Sequence, residues 1–405
     1  CLLYVMSYFH RVSPTVIAMD IMEDFKISEN SLGLFSSATM MAYGLMQLPS
    51  GMLSDLFGGR KTLALLTVAA GGGALWFAFS GSAQSAVAAR FLVGLGLAVT
   101  VPAATLLASW SSPQAFVRST SIVFASGGLG GILAAPPLAF LSNHVGWRTA
   151  IAGFALFTLL LAVLTLWLIK DSPEGRNSPA PRRPDLGKLL EGVKNVGKSR
   201  RFWMLCIWYM CTVGGNFCMT SLWWGPYLSQ ACGLTKLEVS HVLTANAVGL
   251  MLCYPLMGWM SDVVFKCRKP LMLACSVTAA ACLAALVAGK SSLGLWGIMV
   301  LVPLFGVCTS SPGALAFAML KDVFPASQTG TALGLINMSF PIWAGVLQFG
   351  YGMAFSTVSG SLGVGAGHLA GMALLIVNLV AGLFFLLPVP EHSRPAAEVP
   401  ALSDR

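Results

Sequence analysis

The chain has 405 residues, of which 56% are hydrophobic and only 10% charged, with a mean hydropathy of +0.77 and a net charge of +9. A soluble protein of average composition is about 25% charged. So little charge cannot cover a surface in water, which excludes a water-soluble fold and puts the chain in a bilayer.

Crossing a hydrocarbon core of roughly 30 Å takes about 20 apolar residues per helix. Twelve runs of about that length follow one another: 1–19, 31–50, 62–80, 86–108, 119–142, 148–169, 202–224, 239–260, 271–289, 293–320, 328–350 and 368–388. The first begins inside apolar sequence at Cys1, without an initiator Met, and reads as a truncated start rather than a signal peptide. Within it Tyr4, Tyr8, Arg11 and Thr15 fall at i, i+4, i+7 and i+11, one face of a helix. All fifteen acidic residues lie outside the twelve runs, so Arg11 has no carboxylate partner on its own helix or within any other run. An arginine at a helix centre costs about 2.5–3.5 kcal/mol on an insertion scale, tolerated where it faces the bundle interior or a wet cavity. Its missing counter-ion is then the substrate, because a guanidinium matches carboxylate or phosphate in a two-pronged geometry. The alternative is an arginine satisfied by helix carbonyls or polar neighbours. His10, about 100° around the helix, either shares the site or packs between helices. It is the mid-span group that titrates near neutral pH, and with Arg90, the second intramembrane arginine, it is the coupling candidate.

Run 2 carries Tyr43, Gln47 and Pro49 and ends in a charged turn, Gly51-Met-Leu-Ser-Asp55-Leu-Phe-Gly-Gly-Arg60-Lys61. A second copy, Gly258-Trp-Met-Ser-Asp262-Val-Val-Phe-Lys-Cys-Arg268-Lys269, follows run 8 with its aspartate 207 residues on, about half the chain. A duplicated turn in a membrane sequence predicts two homologous helical halves. Run 5 holds Gly127, Gly128, Gly130 and Gly131 before Pro136–Pro137, and run 11 holds Gly330, Gly334, Pro341 and Gly345. These are sites of close helix contact or of bending. Between runs 6 and 7, residues 170–201 carry four prolines and a basic stretch, which marks the boundary of the halves. The expected organisation is an N-terminal half, 1–169, a basic linker, 170–201, a C-terminal half, 202–388, and a tail, 389–405.

Run 7 has a stripe of Thr212, Asn216, Thr220, Trp223 and Tyr227 with no cation, and Asn246, Asn337 and Gln348 add polar groups to runs 8 and 11. Each is either an interhelical hydrogen bond or a ligand contact, and Trp223–Trp224 read equally well as an aromatic belt at the outer interface. Nine of the ten cysteines lie between Cys206 and Cys308 without metal or redox spacing, as small apolar packing residues. With the N-terminus inside, the inner turns, linker and tail hold eighteen of the 24 Lys and Arg and the outer ones four, which predicts cytoplasmic termini. The basic linker then faces anionic headgroups of the lipid bilayer. The scatter of basic residues over separate turns argues against nucleic acid.

These motifs resemble the major facilitator superfamily over nearly the whole chain. Gly51-x-x-x-Asp55-x-x-Gly58-x-Arg60-Lys61 matches its loop 2–3 signature, Gly258 to Lys269 is the weaker echo, and Arg90-x-x-x-Gly94-x-Gly96 resembles its helix-4 signature. The resemblance implies an all-α membrane protein, with twelve transmembrane helices in two pseudo-symmetric six-helix halves. It also implies a cytoplasmic gate held by Asp55, Arg60 and Arg118, with Lys61, Asp262 and Arg268 in the same role. Tyr8-Phe-His10-Arg11, Tyr43-x-x-x-Gln47-x-Pro49-x-Gly51, Trp110-x-x-Pro113-x-x-x-x-Arg118 and Gly146-Trp147-Arg148 resemble the anion:cation symporter and organophosphate antiporter branches. By that likeness Arg11 binds the anionic group of the substrate. Two carboxylates of that pattern are replaced, by His10 and Leu97, leaving proton symport through His10 or exchange of anions.

The expected function is secondary transport of a small organic anion (carboxylate, sugar acid or phosphate ester) by alternating access across a bacterial-type inner membrane. The expected substrate contacts are Arg11, His10, Tyr8, Tyr43, Gln47, Asn216, Trp223, Asn246 and Asn337, with no cofactor or metal, an anionic solute and a co-transported proton as partners, and a monomeric state. A multidrug exporter and a non-transporting anion sensor are the alternatives. An enzyme is not expected, since no nucleophile–base pair, metal cluster or phosphate loop stands out.

Overall fold

The computed structural model describes residues 1–110, 113–171, 186–260, 267–289 and 292–390. Each of the twelve apolar runs lies on a helix. Span 1 is Leu2–Val16, followed by a short helix Ala18–Phe25; span 2 is Glu29–Phe57 and span 3 Gly59–Ala78. Span 4 is Ala83–Gly96 continued by Thr100–Trp110, span 5 is Pro113–Leu133 continued by Pro136–Val145, and span 6 is Trp147–Leu168. A linker helix, Leu186–Gly197, precedes span 7, Arg200–Ala231. Spans 8 and 9 are Lys236–Trp259 and Lys269–Ala288, and span 10 is Gly294–Ser310 continued by Gly313–Val323. Spans 11 and 12 are Ala326–Leu362 and Val364–Leu386.

Nine helices among the described residues are long and apolar enough to cross a membrane. The other three runs fall on spans 1, 2 and 8, all of which touch the opposite half. Span 1 is only 15 residues long and is interrupted by Pro14. Span 2, with 29 residues, is about 43 Å long at 1.5 Å per residue and overshoots the hydrocarbon core. Span 11, at 37 residues, overshoots further, so both extend well past runs 31–50 and 328–350.

The packing repeats when six is added to each span number. Span 3 packs on spans 4 and 6, and span 9 on spans 10 and 12; span 2 packs on 4, and 8 on 10; span 1 packs on 5, and 7 on 11. Between the halves span 2 packs on 11, span 5 on 8, and span 1 on 7, a set that maps onto itself under the same shift. Two copies of one six-helix unit, face to face, produce this pattern.

Glycine lets the backbones at these contacts approach. A Cβ on Gly225 would stand 1.8 Å from the Thr15 carbonyl oxygen, and one on Gly130 would stand 2.2 Å from that of Val5. The run-5 glycines work on two faces: Gly127 and Gly130 meet span 1, while Gly128 and Gly131 meet Met251 and Ala247 of span 8. Span 7 is wound loosely in three wide turns, Met210–Gly214, Met219–Trp223 and Tyr227–Ala231, of the π type that marks functional helices.

Candidate functional site

Arg11 projects from span 1 between the two halves and is 2% exposed. Its guanidinium carbon lies 4.4 Å from the ring centre of Tyr43 on span 2, and 5.4 Å from those of Tyr8 on span 1 and Phe217 on span 7. Tyr4 bears on it as well. Cation–π contacts of this kind stabilise a desolvated guanidinium by about 2 kcal/mol. They cover its faces, whereas its N–H groups point along its plane. Nε and Nη2, the pair that forms the side-on fork toward a carboxylate, meet no hydrogen-bond acceptor. Gln47, one turn beyond Tyr43, is 4% exposed with both amide atoms unbonded.

His10 turns the other way. Its Nε2 is 2.9 Å from the Thr158 hydroxyl on span 6, inside the N-terminal half, so the structure does not bring it to the Arg11 fork. Its backbone carbonyl has a separate role. Pro14 has no N–H, so the carbonyl four residues earlier lacks its helical donor. Arg90 of span 4, 2% exposed, supplies Nη1 and Nη2 to that oxygen, each at 3.2 Å, and the Ser13 hydroxyl approaches it at 3.5 Å. The second intramembrane arginine is thus a clamp on the broken helix that carries the first.

Most polar groups of the C-terminal half are engaged within the protein. Asn216 donates from Nδ2 to the Ser310 hydroxyl at 2.7 Å and accepts from Thr220 at 3.3 Å. Trp223 is fully buried, stacks on Tyr351 with ring centres 4.3 Å apart, and donates to the Gln348 carbonyl at 3.1 Å. Trp224 is fully buried too, so the pair is interior and the aromatic-belt reading is corrected. Asn246 Oδ1 points at Gly306 of span 10, where a Cβ would stand 2.0 Å away. Asn337 is half-buried on span 11.

The charged turns anchor each half to itself. The Arg60 backbone N–H donates to Asp171 at 2.9 Å, and its guanidinium donates to the Leu166 carbonyl at the end of span 6. At the corresponding place in the other half Lys269 donates to the Leu387 carbonyl at 2.6 Å, just past span 12. Cations at these two helix ends meet carbonyls that have no helical donor. Arg268 forms an ion pair with Asp322 at the end of span 10. Asp55 and Lys61 are exposed, while Asp262 and the Arg118 side chain lie outside the described residues.

Three features were not read from the sequence. Lys236 at the start of span 8 forms an ion pair at 2.5 Å with Asp20, just past span 1, and so joins the two halves. Beside it Thr15 donates to the Thr220 carbonyl at 2.7 Å. His368, 1% exposed, lies 3.1 Å from the Tyr351 hydroxyl and 2.8 Å from Gln230 Oε1. Opposite charges just outside runs 1 and 8 were the one available signal. Nothing in the local pattern paired positions more than 200 residues apart.

A twelve-span bundle with a repeated six-span unit and a buried arginine between its halves is the architecture of a secondary transporter. The family model for the Major Facilitator Superfamily matches residues 1–225 and 210–403, and the chain belongs to that superfamily. It is 26% identical over 420 residues to the probable sulfoacetate transporter SauU of Cupriavidus necator, covering 98% of this chain and 95% of that one. It is 27% identical over 370 residues to the probable galactarate/D-glucarate transporter GudP of Bacillus subtilis, covering 82% and 78%. Among solved structures, a bacterial homologue of the human lysosomal transporter Spinster, inward-facing and occupied, superposes with a TM-score of 0.76 at 17% identity. That match covers 95% of this chain and 94% of the other, and the likeness is one of fold.

Proposed function

We propose that the protein is a secondary active transporter that carries a small organic anion across a bacterial-type inner membrane by alternating access. Its relatives named for sulfoacetate and for galactarate and D-glucarate support an anionic substrate. The observation that carries the reading is the unbonded Nε–Nη2 fork of a buried arginine between the halves. Among the described residues no carboxylate forms an ion pair with it. An anion arriving there supplies the counter-charge the span lacks and lowers the cost of closing the halves around it.

The finer assignments follow the charge bias. Both termini and the 170–201 linker lie in the cytoplasm, and the end joined by Asp20 and Lys236 faces outward. Residues 1–169 and 202–388 move as two bodies, with 389–405 as a cytoplasmic tail, in a monomer. Cargo moves with a proton or in exchange for a second anion. A drug exporter for cations finds no support, because among the described residues every ion-paired carboxylate lies at a helix end.

A thermal-shift screen in detergent against carboxylates, sugar acids, sulfonates and phosphate esters tests the reading, because a ligand of the native state raises the melting temperature by mass action. The expected result is a shift with one anion class that vanishes in Arg11→Ala. Stabilisation of both proteins by lipophilic cations alone would contradict it.

A further inference from the structure

The surroundings of Arg11 narrow the substrate class. The rings on its guanidinium belong to a continuous aromatic wall contributed by both halves. Tyr8 meets Phe217 edge-on at 6.5 Å, Phe217 lies 5.0 Å from Phe340, Phe340 meets Tyr43 at 6.2 Å and Tyr209 at 5.8 Å, and Tyr209 lies 5.5 Å from Phe317. Spans 1, 2, 7, 10 and 11 all contribute to it.

Several polar groups of the C-terminal half are engaged within the protein rather than offered to a ligand. Asn216, Thr220 and Ser310 bond one another, Trp223 donates to a backbone carbonyl, and Gln348 donates to the Ser221 hydroxyl at 2.7 Å. The Gln47 amide remains, with both atoms unbonded, and so do Gln348 Oε1 and Asn246 Oδ1. Among the described residues there is also one buried charge to match. Arg90, the other buried cation, is turned onto the His10 carbonyl by both of its terminal nitrogens. A second anionic group on the ligand would find no cation there.

We propose that the anion bound at Arg11 is an aromatic monocarboxylate, held by its carboxylate on the Nε–Nη2 fork and by its ring against the Tyr43–Phe217–Phe340 wall. This rests on the anion-transport reading and gives it a substrate class. Ring faces offer offset or edge-on packing to an aromatic ligand, and the Gln47 amide accommodates a single polar substituent on it.

Equilibrium binding to the full-length protein in detergent, with phenylacetate, 4-hydroxyphenylacetate, D-glucarate and sulfoacetate as probes at neutral pH, tests the proposal. Phenylacetate is expected to bind at least about tenfold more tightly than D-glucarate or sulfoacetate, the difference that about 1.4 kcal/mol makes. Phe217→Leu should weaken phenylacetate by a larger factor than acetate, and Arg11→Gln should abolish binding of both. D-glucarate or sulfoacetate binding more tightly than phenylacetate, through Arg11, would overturn the aromatic class and leave anion transport standing. Failure of every anion, or binding indifferent to Arg11→Gln, would overturn both. Should Arg11→Gln not fold, the ranking on the wild-type protein decides the class, and Arg11→Lys decides the part played by the fork.

Discussion

At Arg11 charge and geometry make separate contributions, and one substitution separates them. Arg11→Lys retains the positive charge but loses the planar fork and the stacking on Tyr43. A hydrogen bond to a charged group is worth about 1.5–3 kcal/mol. The concentration for half-maximal uptake in proteoliposomes should therefore rise roughly 10- to 100-fold. An unchanged value would assign Arg11 to electrostatics alone. The sequence made this residue legible, because helical spacing put Tyr4, Tyr8 and Arg11 on one face. It could not show that Thr15, on the same stripe, bonds the span 7 backbone instead, at 2.7 Å. Nor could it place His10, whose partner Thr158 is 148 residues away.

At the scale of the element, Pro14 and Arg90 form one device. The proline frees the His10 carbonyl inside span 1, and the arginine from span 4 satisfies it. Arg90→Gln is expected to lower stability by about 1–3 kcal/mol, as leaving a buried carbonyl without its donor does. In a Pro14→Ala background the helix supplies its own donor, and the cost should fall by about 1 kcal/mol or more. Additive effects of the two substitutions, read from thermal or denaturant unfolding, would contradict the coupling. Gly225 makes a second case. Any side chain there meets the Thr15 carbonyl, so Gly225→Val should part spans 1 and 7 and abolish uptake while the protein still reaches the membrane. Run lengths and turns disclosed the helices, since an apolar stretch of about 20 residues has few other fates. The overshoot of spans 2 and 11 was not legible, because Gly51 and Asp55 read as a charged turn and the Ser-, Thr- and Gly-rich residues 356–361 as loop.

For the whole molecule, the contact pattern that repeats after six spans defines two bodies, and the Asp20–Lys236 pair joins them at one end. Their side chains are 32% and 22% exposed, so the pair contributes no more than about 1 kcal/mol. A device of that size biases an equilibrium without locking it. Lys236→Met should raise the modification rate of a cysteine introduced at Thr15 by up to about fivefold, and the charge-reversed pair Asp20→Lys with Lys236→Asp should restore it. Equal rates in all three proteins would remove the pair from the closing of that end. The duplicated Gly-x-x-x-Asp turn announced the two bodies from sequence. The latch between them joins the short helix after span 1 to the start of span 8, positions that only three dimensions bring together.

The central claim is that Arg11 holds an anion that the two bodies carry across the membrane. Counterflow tests it most directly: proteoliposomes loaded with one unlabelled organic anion take up a trace of the same anion labelled outside, with no ion gradient. The account predicts transient accumulation with the wild-type protein and none with Arg11→Gln, provided the variant is shown to melt cooperatively. Accumulation undiminished in Arg11→Gln would place the substrate elsewhere. Binding without accumulation in the wild-type protein would make the molecule an anion sensor.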